Sequence, residues 1–221
     1  MKISKISVLL IIIAIIFVGV IAAASTGFDA FSFGQNANNI LSEADGTVIA
    51  TVDGAAIYES DLQLVALTAK SLSPQNAIDD QQILNDLIRK QVVYNQAEKL
   101  GLVVPYEQAK KSIITNYNLI KSLAESQDGG ERADAQTALG VIEEYMRGFG
   151  LTEEQYIEMA SKQMQKIMTY GACYNHFKEG LAKDIQADAF AVNEQYEKYI
   201  DDLLAKADIQ YVNKSKSNRR H

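Results

Sequence analysis

The order of apolar and polar positions divides the chain into an unbroken apolar run, a stretch without period, and a long region of helical spacing bracketed by strand-like alternation. The unbroken run is Val8–Ala24, VLLIIIAIIFVGVIAAA, which holds no charge; as a helix it would span roughly 26 Å, the short limit for crossing a membrane. Residues 25–46 carry Ser, Gly, Asn and Ala with little periodicity and read as a flexible tether. Thr47–Tyr58 then alternates, with Asp53-Gly54 at its centre, a dipeptide that accepts the positive φ angles of a tight hairpin turn.

Helical spacing follows. Ser60-Asp61-Leu62-Gln63 fits a capping box, so a helix is expected from Asp61 to about Lys70. Asp79–Leu100 sets Ile83, Leu84, Leu87, Ile88, Val92 and Ala97 three and four residues apart, with Gly101 as its C-terminal cap. Pro105 can stand in the first turn of a helix reaching Glu125, because its missing N–H would have no partner there. After the break at Asp128-Gly129-Gly130, a helix is expected over Glu131–Arg147. A second capping box, Thr152 with Gln155, opens a long helix to about Lys183. A last helix over Asp188–Ala205 leads into the alternating Asp208–Val212. A lone hairpin is barely stable, so Ile209–Val212 is expected to join it as a third strand. The fold class is therefore mainly α: a helical domain with a small hairpin plus a C-terminal strand, preceded by one N-terminal transmembrane or signal helix.

Charge sets the expected location. Lys2 and Lys5 precede the apolar run and the next basic residue is Lys70, an asymmetry that places the N-terminus in the cytoplasm and the rest outside. The organisation read this way is a cytoplasmic stub at 1–6, a transmembrane signal anchor at 7–24, the linker at 25–46, one helical domain at 47–212 and a basic disordered tail at 213–221. Phe28, Phe31 and Phe33 would suit an aromatic collar at the headgroups. Ala22-Ala23-Ala24-Ser25 also offers a signal-peptidase site, so the alternative to a single-pass membrane protein is a secreted or periplasmic one.

Of the 221 residues, 21 are Lys or Arg and 28 are Asp or Glu. An acidic exported domain argues against nucleic acid as a partner. One cysteine and two histidines exclude an intrachain disulfide and disfavour a zinc site, and no glycine-rich phosphate loop is present; no metal or cofactor is expected. Cys173 and His176 share a helix face at i, i+3, but nothing local would hold an oxyanion, so no catalytic residue is assigned.

The stretches VIATVDG at 48–54, IYESDL at 57–62, ILNDLIRKQVVYNQAEKLGL at 83–102 and LTEEQYIEMASKQMQKIM at 151–168, in that order, resemble the N-terminal chaperone domain of the SurA/PrsA-type extracytoplasmic foldases, with a looser likeness to the trigger factor substrate-binding region. ADIQYV at 207–212 looks like that family's closing strand. Family members usually carry parvulin prolyl isomerase domains between the long helix and the closing helix. Such a domain needs on the order of 90 residues of its own, and the interval at about 184–187 has no room for it. The resemblance thus implies the chaperone half of the family's activity without the isomerase half.

Met146, Met159, Met164 and Met168, with Phe149, Tyr156, Tyr170, Tyr174 and Phe177, form a Met/aromatic cluster late in the chain. Such a stripe at helical spacing is ordinary core, and it is also the adaptable apolar surface that promiscuous binders use. These nine residues are the client-binding candidates. The function expected is that of a membrane-tethered, ATP-independent holdase for apolar segments of unfolded, newly exported polypeptides, with a homodimer left open. The alternatives are a helical scaffold or adaptor docking one dedicated membrane or secreted partner and, third, a prolyl isomerase.

Overall fold

A computed structural model describes residues 28–72, 79–126 and 129–212 of the chain. In order these form α1 (Ala30–Ser42), β1 (Val48–Val52), β2 (Ala55–Tyr58), α2 (Glu59–Leu72), α3 (Asp80–Lys99), α4 (Tyr106–Ala124), α5 (Gly129–Phe149), α6 (Glu153–Glu179), a short α7 (Lys183–Ala187), α8 (Ala189–Lys206) and β3 (Ile209–Tyr211). The described part is mainly helical with one small antiparallel sheet, as the spacing predicts.

The hairpin turns at Asp53 and Gly54, with φ of 49° and 84°. β1 pairs with β2 through Thr51↔Ala56 and with β3 through Thr51↔Gln210, giving the order β2-β1-β3. The expected third strand is therefore in place. Strand β2 runs directly into α2, which starts at Glu59, and the cap formed there pairs the Tyr58 N–H with the Asp61 carboxylate at 3.0 Å. The acid at the third helical position reaches back to the cap, two residues earlier than the expected capping box. Gly101, at φ 70°, ends α3 while Leu102 N–H donates to the Ala97 carbonyl at 2.8 Å. The Thr152–Gln155 box forms in both directions, at 2.9 and 3.3 Å. The helix it opens ends at Glu179 rather than near Lys183, because the chain turns at Gly180 before α7.

The chain divides into two compact units. Among the described residues, the first combines those up to Glu43, those from Leu64 to the end of α2, and Val104–Met168; the second combines Ala44–Gln63, Asp79–Val103 and those from Thr169 onward. The boundary falls inside α6, so a continuous apolar stripe along that helix serves two separate cores.

In the first unit Ile113 and Tyr117 of α4, Ala138 and Ile142 of α5, and Tyr156 and Ala160 of α6 are all buried together. Against α5 lies α1, where a flexible tether was expected. Asp29 caps it, its carboxylate accepting Ser32 N–H at 2.9 Å, and Ala30, Gly34 and Ala37 face inward. The tether reading missed this helix, although Ala30, Phe33, Ala37 and Ile40 recur at three- and four-residue spacing, because Gly34 and the Asn residues between them read as loop composition. Phe28, Phe31 and Phe33 do not form a membrane collar. Phe33 stacks obliquely on Phe28 and on Tyr145, at 5.5 and 5.9 Å, and Phe31 lies under the Arg147 guanidinium at 4.8 Å.

In the second unit the inner sheet face, Ala50, Val52 and Ile57, packs on Ile88 and Val92 of α3, with Leu203 and Leu204 of α8 beside them. A second cluster joins Val93 and Ala97 of α3 to Cys173 of α6 and Tyr196 and Ile200 of α8. Arg89 of α3 forks between Glu197 and Asp201 of α8, at 2.6 and 2.9 Å.

The expected single-pass membrane location is corrected. No helix among the described residues is long and apolar enough to cross a membrane. The longest, α6, carries Glu158, Lys162, Lys166 and Lys178 along its length, charges that a bilayer core does not accept without compensation. The expected anchor at 7–24 and basic tail at 213–221 lie outside the described residues.

Candidate client-binding surface

The nine Met and aromatic candidates divide between the units. Met146, Phe149, Tyr156, Met159, Met164 and Met168 belong to the first, and Tyr170, Tyr174 and Phe177 to the second.

In the first unit Tyr156 is core, 1% exposed, with its ring 6.0 Å from Tyr117 and 6.3 Å from Tyr145. Met146, Met159 and Met164 are half-buried around that core. The Tyr145 hydroxyl points at the Met159 sulfur, 3.8 Å away. Burial holds the Tyr145 phenol up at about 12 and pushes Tyr156 higher still. Phe149 is half-buried against Tyr145 at 5.8 Å. Met168 is half-buried near the end of this unit's share of α6. These methionines thus pack on one side and meet solvent on the other, the geometry of a rim around a core.

In the second unit the three candidates build an aromatic cluster with α8. Tyr174 meets Tyr196 edge-on at 5.0 Å and donates its hydroxyl to the Asn193 side-chain carbonyl at 2.9 Å. Phe177 stacks on Tyr199 at 4.8 Å and lies 5.3 Å from Tyr196. Tyr170 meets Tyr94 of α3 edge-on at 6.3 Å. Desolvation raises Tyr170 and Tyr196 far above the usual phenol range. Sequence reading missed Tyr94, Tyr145, Tyr196 and Tyr199 as members of these clusters. The signal was present in α8, where Val192, Tyr196 and Ile200 recur at four-residue spacing.

Cys173 is buried, and burial pushes its thiol up, with the Tyr196 hydroxyl drawing it partly back. That is the direction away from a nucleophile. His176 is exposed. Among the described residues no group of three or more His, Cys, Asp or Glu side chains could hold a metal ion. The chemistry these clusters offer is apolar and aromatic contact.

Among the described residues the most exposed large apolar side chain is Phe190, at 82%, in the first turn of α8, where Asp188 caps the helix through Phe190 N–H at 2.9 Å. Leu119 on α4 and Leu41 at the end of α1 are also exposed.

No curated protein matches the chain, and no solved structure does. A family model described as the SurA-like N-terminal domain matches residues 1–130, a span that takes in α1, the hairpin, α2, α3 and α4 and ends before all nine candidates. It is the non-catalytic, chaperone part of such proteins. The match covers more than half of the chain, which therefore belongs to the SurA-like N-terminal domain family.

Proposed function

We propose that the protein is an ATP-independent holdase that shields apolar segments of unfolded polypeptides. The observation that carries this reading is its membership of the SurA-like N-terminal domain family. The half-buried Met146, Met159 and Met164 support it: flexible, polarizable side chains with one face in solvent adapt to apolar sequences of many shapes. Binding is driven by apolar burial, is weak and reversible, and draws on no nucleotide. The acidic surface keeps the complex soluble and favours basic unfolded clients.

The test is a titration of the full chain into a fluorescent, permanently unfolded apolar peptide, read by anisotropy with and without ATP. Saturable binding that ATP leaves unchanged supports the proposal, and so does its loss when Met146, Met159 and Met164 become Ser. Absence of binding to that peptide and to a second, unrelated one overturns it. Binding confined to one partner out of many would instead select the dedicated-adaptor reading, for which the isolated Phe190 is the natural anchor.

A further inference from the structure

The two outer edges of the sheet are built differently. Along β3, the bond from Asp53 N–H to the Asp208 carbonyl at 2.9 Å and the bond from Val212 N–H to the Ile49 carbonyl at 3.0 Å bracket the pairing with β1. Antiparallel strands alternate hydrogen-bonded and non-bonded pairs, so the pair that exchanges both of its bonds here is Thr51 with Gln210. Ile209 and Tyr211 stand opposite Val52 and Ala50 in non-bonded pairs, and their N–H and C=O groups point away from β1. Each offers one donor and one acceptor along the outer edge, and no hydrogen bond reaches them from any other described residue.

The edge formed by β2 is blocked at its end. Its Tyr58 N–H is taken by the Asp61 carboxylate at 3.0 Å, and the chain enters α2 at Glu59. Edge strands are usually guarded by charge, proline or a bulge. The register of β1 with β2 is irregular between Val48 and Ala50, whereas that of β1 with β3 runs evenly. Ile209–Val212 holds no charged residue and no proline, and Tyr211 and Val212 are 55% and 50% exposed. Tyr211 shares a face with Ile209, which packs on the core beneath the sheet. The open backbone groups of β3 thus lie beside an apolar ring in solvent.

Resting on the holdase reading, we propose that the outer edge of β3 captures clients by strand addition, its occupant being an extended apolar segment of an unfolded chain. An extended backbone is the chemistry that presents donors and acceptors at the spacing of Ile209 and Tyr211. An unfolded client has those groups open, and a folded one already pairs them. Backbone bonds read no sequence, which suits a binder of many clients, while Tyr211 favours a β-branched or aromatic residue beside it. The edge is short, so the contact is weak and reversible.

The experiment follows single amides of the full chain by hydrogen exchange in the NMR spectrum as an unstructured apolar peptide is titrated. In the free protein the amides of Gln210 and Val212 are protected by β1, and those of Ile209 and Tyr211 exchange freely. Saturating peptide should slow the Ile209 and Tyr211 amides by about tenfold or more. Peptide binding, seen by anisotropy, with those two amides unchanged overturns the inference and leaves the holdase reading standing. Slowing that follows protein concentration without peptide assigns the edge to a second copy and overturns it as well. Absence of peptide binding overturns the reading on which the inference rests. Two variants give a second measurement: Tyr211→Pro deletes a donor of the outer edge and leaves the β1 ladder intact, and Tyr211→Thr keeps the donor and removes the ring. Affinity for the peptide should be about three- to tenfold lower in Tyr211→Pro than in Tyr211→Thr, the effect of one hydrogen bond. Equal affinities overturn the proposal; if the proline variant does not fold, the amide pattern of the wild type decides.

Discussion

The Asp53 carboxylate accepts the backbone N–H of Asp208 at 2.9 Å, tying the turn of the first hairpin to the start of the last strand across 155 positions of sequence. The other oxygen of the same carboxylate takes the Lys99 ammonium at 3.0 Å, and one residue back the buried Asn95 donates its side-chain N–H to the Val52 carbonyl, also at 3.0 Å. One turn residue thus joins β1, α3 and β3. Asp53 can stand there because a short polar side chain tolerates its φ of 49°.

These contacts make the second unit acid-sensitive. The Asp208 N–H, then Lys99, hold the Asp53 carboxyl below its usual range. A carboxylate lowered by folding contributes stability that is present above the unfolded value, about 3.9, and lost as pH falls through the folded one. Asp53→Asn keeps an acceptor and the turn geometry but removes the charge. It should lower the melting temperature at pH 7 and weaken its fall below about pH 4. Circular dichroism melts between pH 7 and 3 read both effects.

Asn95 is a different kind of tie, buried and fully neutral. Its replacement by Ala leaves the Val52 carbonyl without that donor and the Gln91 side chain without the acceptor it uses at 2.7 Å. Losing a partner for a buried polar group costs about 1–3 kcal/mol. Urea denaturation of Asn95→Ala should show a shifted midpoint with unchanged slope.

At the alkaline end the tyrosines act. Tyr145, Tyr156, Tyr170 and Tyr196 are all raised by burial, Tyr145 to about 12. A phenol raised by folding contributes stability that is complete below the unfolded value, about 10, and declines as pH climbs toward the folded one. Titration of absorbance at 295 nm should therefore show the exposed members of the 11 tyrosines ionising first. The four raised furthest should ionise only with a cooperative loss of helical signal. Ionisation of all tyrosines in one unshifted step contradicts the packing described.

Two substitutions separate core from surface among the candidates. Tyr156→Ala empties a fully buried site between Tyr117 and Tyr145 and should cost about 3–5 kcal/mol, as large aromatic deletions do. Met168→Ser touches a half-buried side chain and should change stability by less than about 1 kcal/mol while weakening client binding. Denaturant midpoints and peptide anisotropy on the same preparations decide the matter.

Much of this fold is legible in the sequence where one residue dictates local geometry. Asp53-Gly54 forces the hairpin turn, Gly101 stops α3, and Thr152 with Gln155 opens α6. Period, with Gly101 and Pro105 marking boundaries, placed α3, α4 and α8 to within a residue or two. What escaped was set by tertiary contact. The apolar face of α1, Ala30, Phe33, Ala37 and Ile40, is interleaved with Gly and Asn that read as loop, and the value of Gly34 lies in letting a backbone approach, which only the tertiary contact reveals. The division of α6 between two cores is equally silent, because the same Met and aromatic spacing runs on past Met168 into Tyr170 and Tyr174. Of the nine client-binding candidates, six fall in the first unit and three in the second. Whether a half-buried methionine serves as rim or as binding edge depends on partners that spacing does not name.

The most direct test of the central claim is light scattering from two unrelated unfolded proteins, each diluted into buffer with and without the full chain. The account predicts suppression of aggregation for both at near-stoichiometric ratios, without nucleotide. Scattering unchanged for both would contradict it.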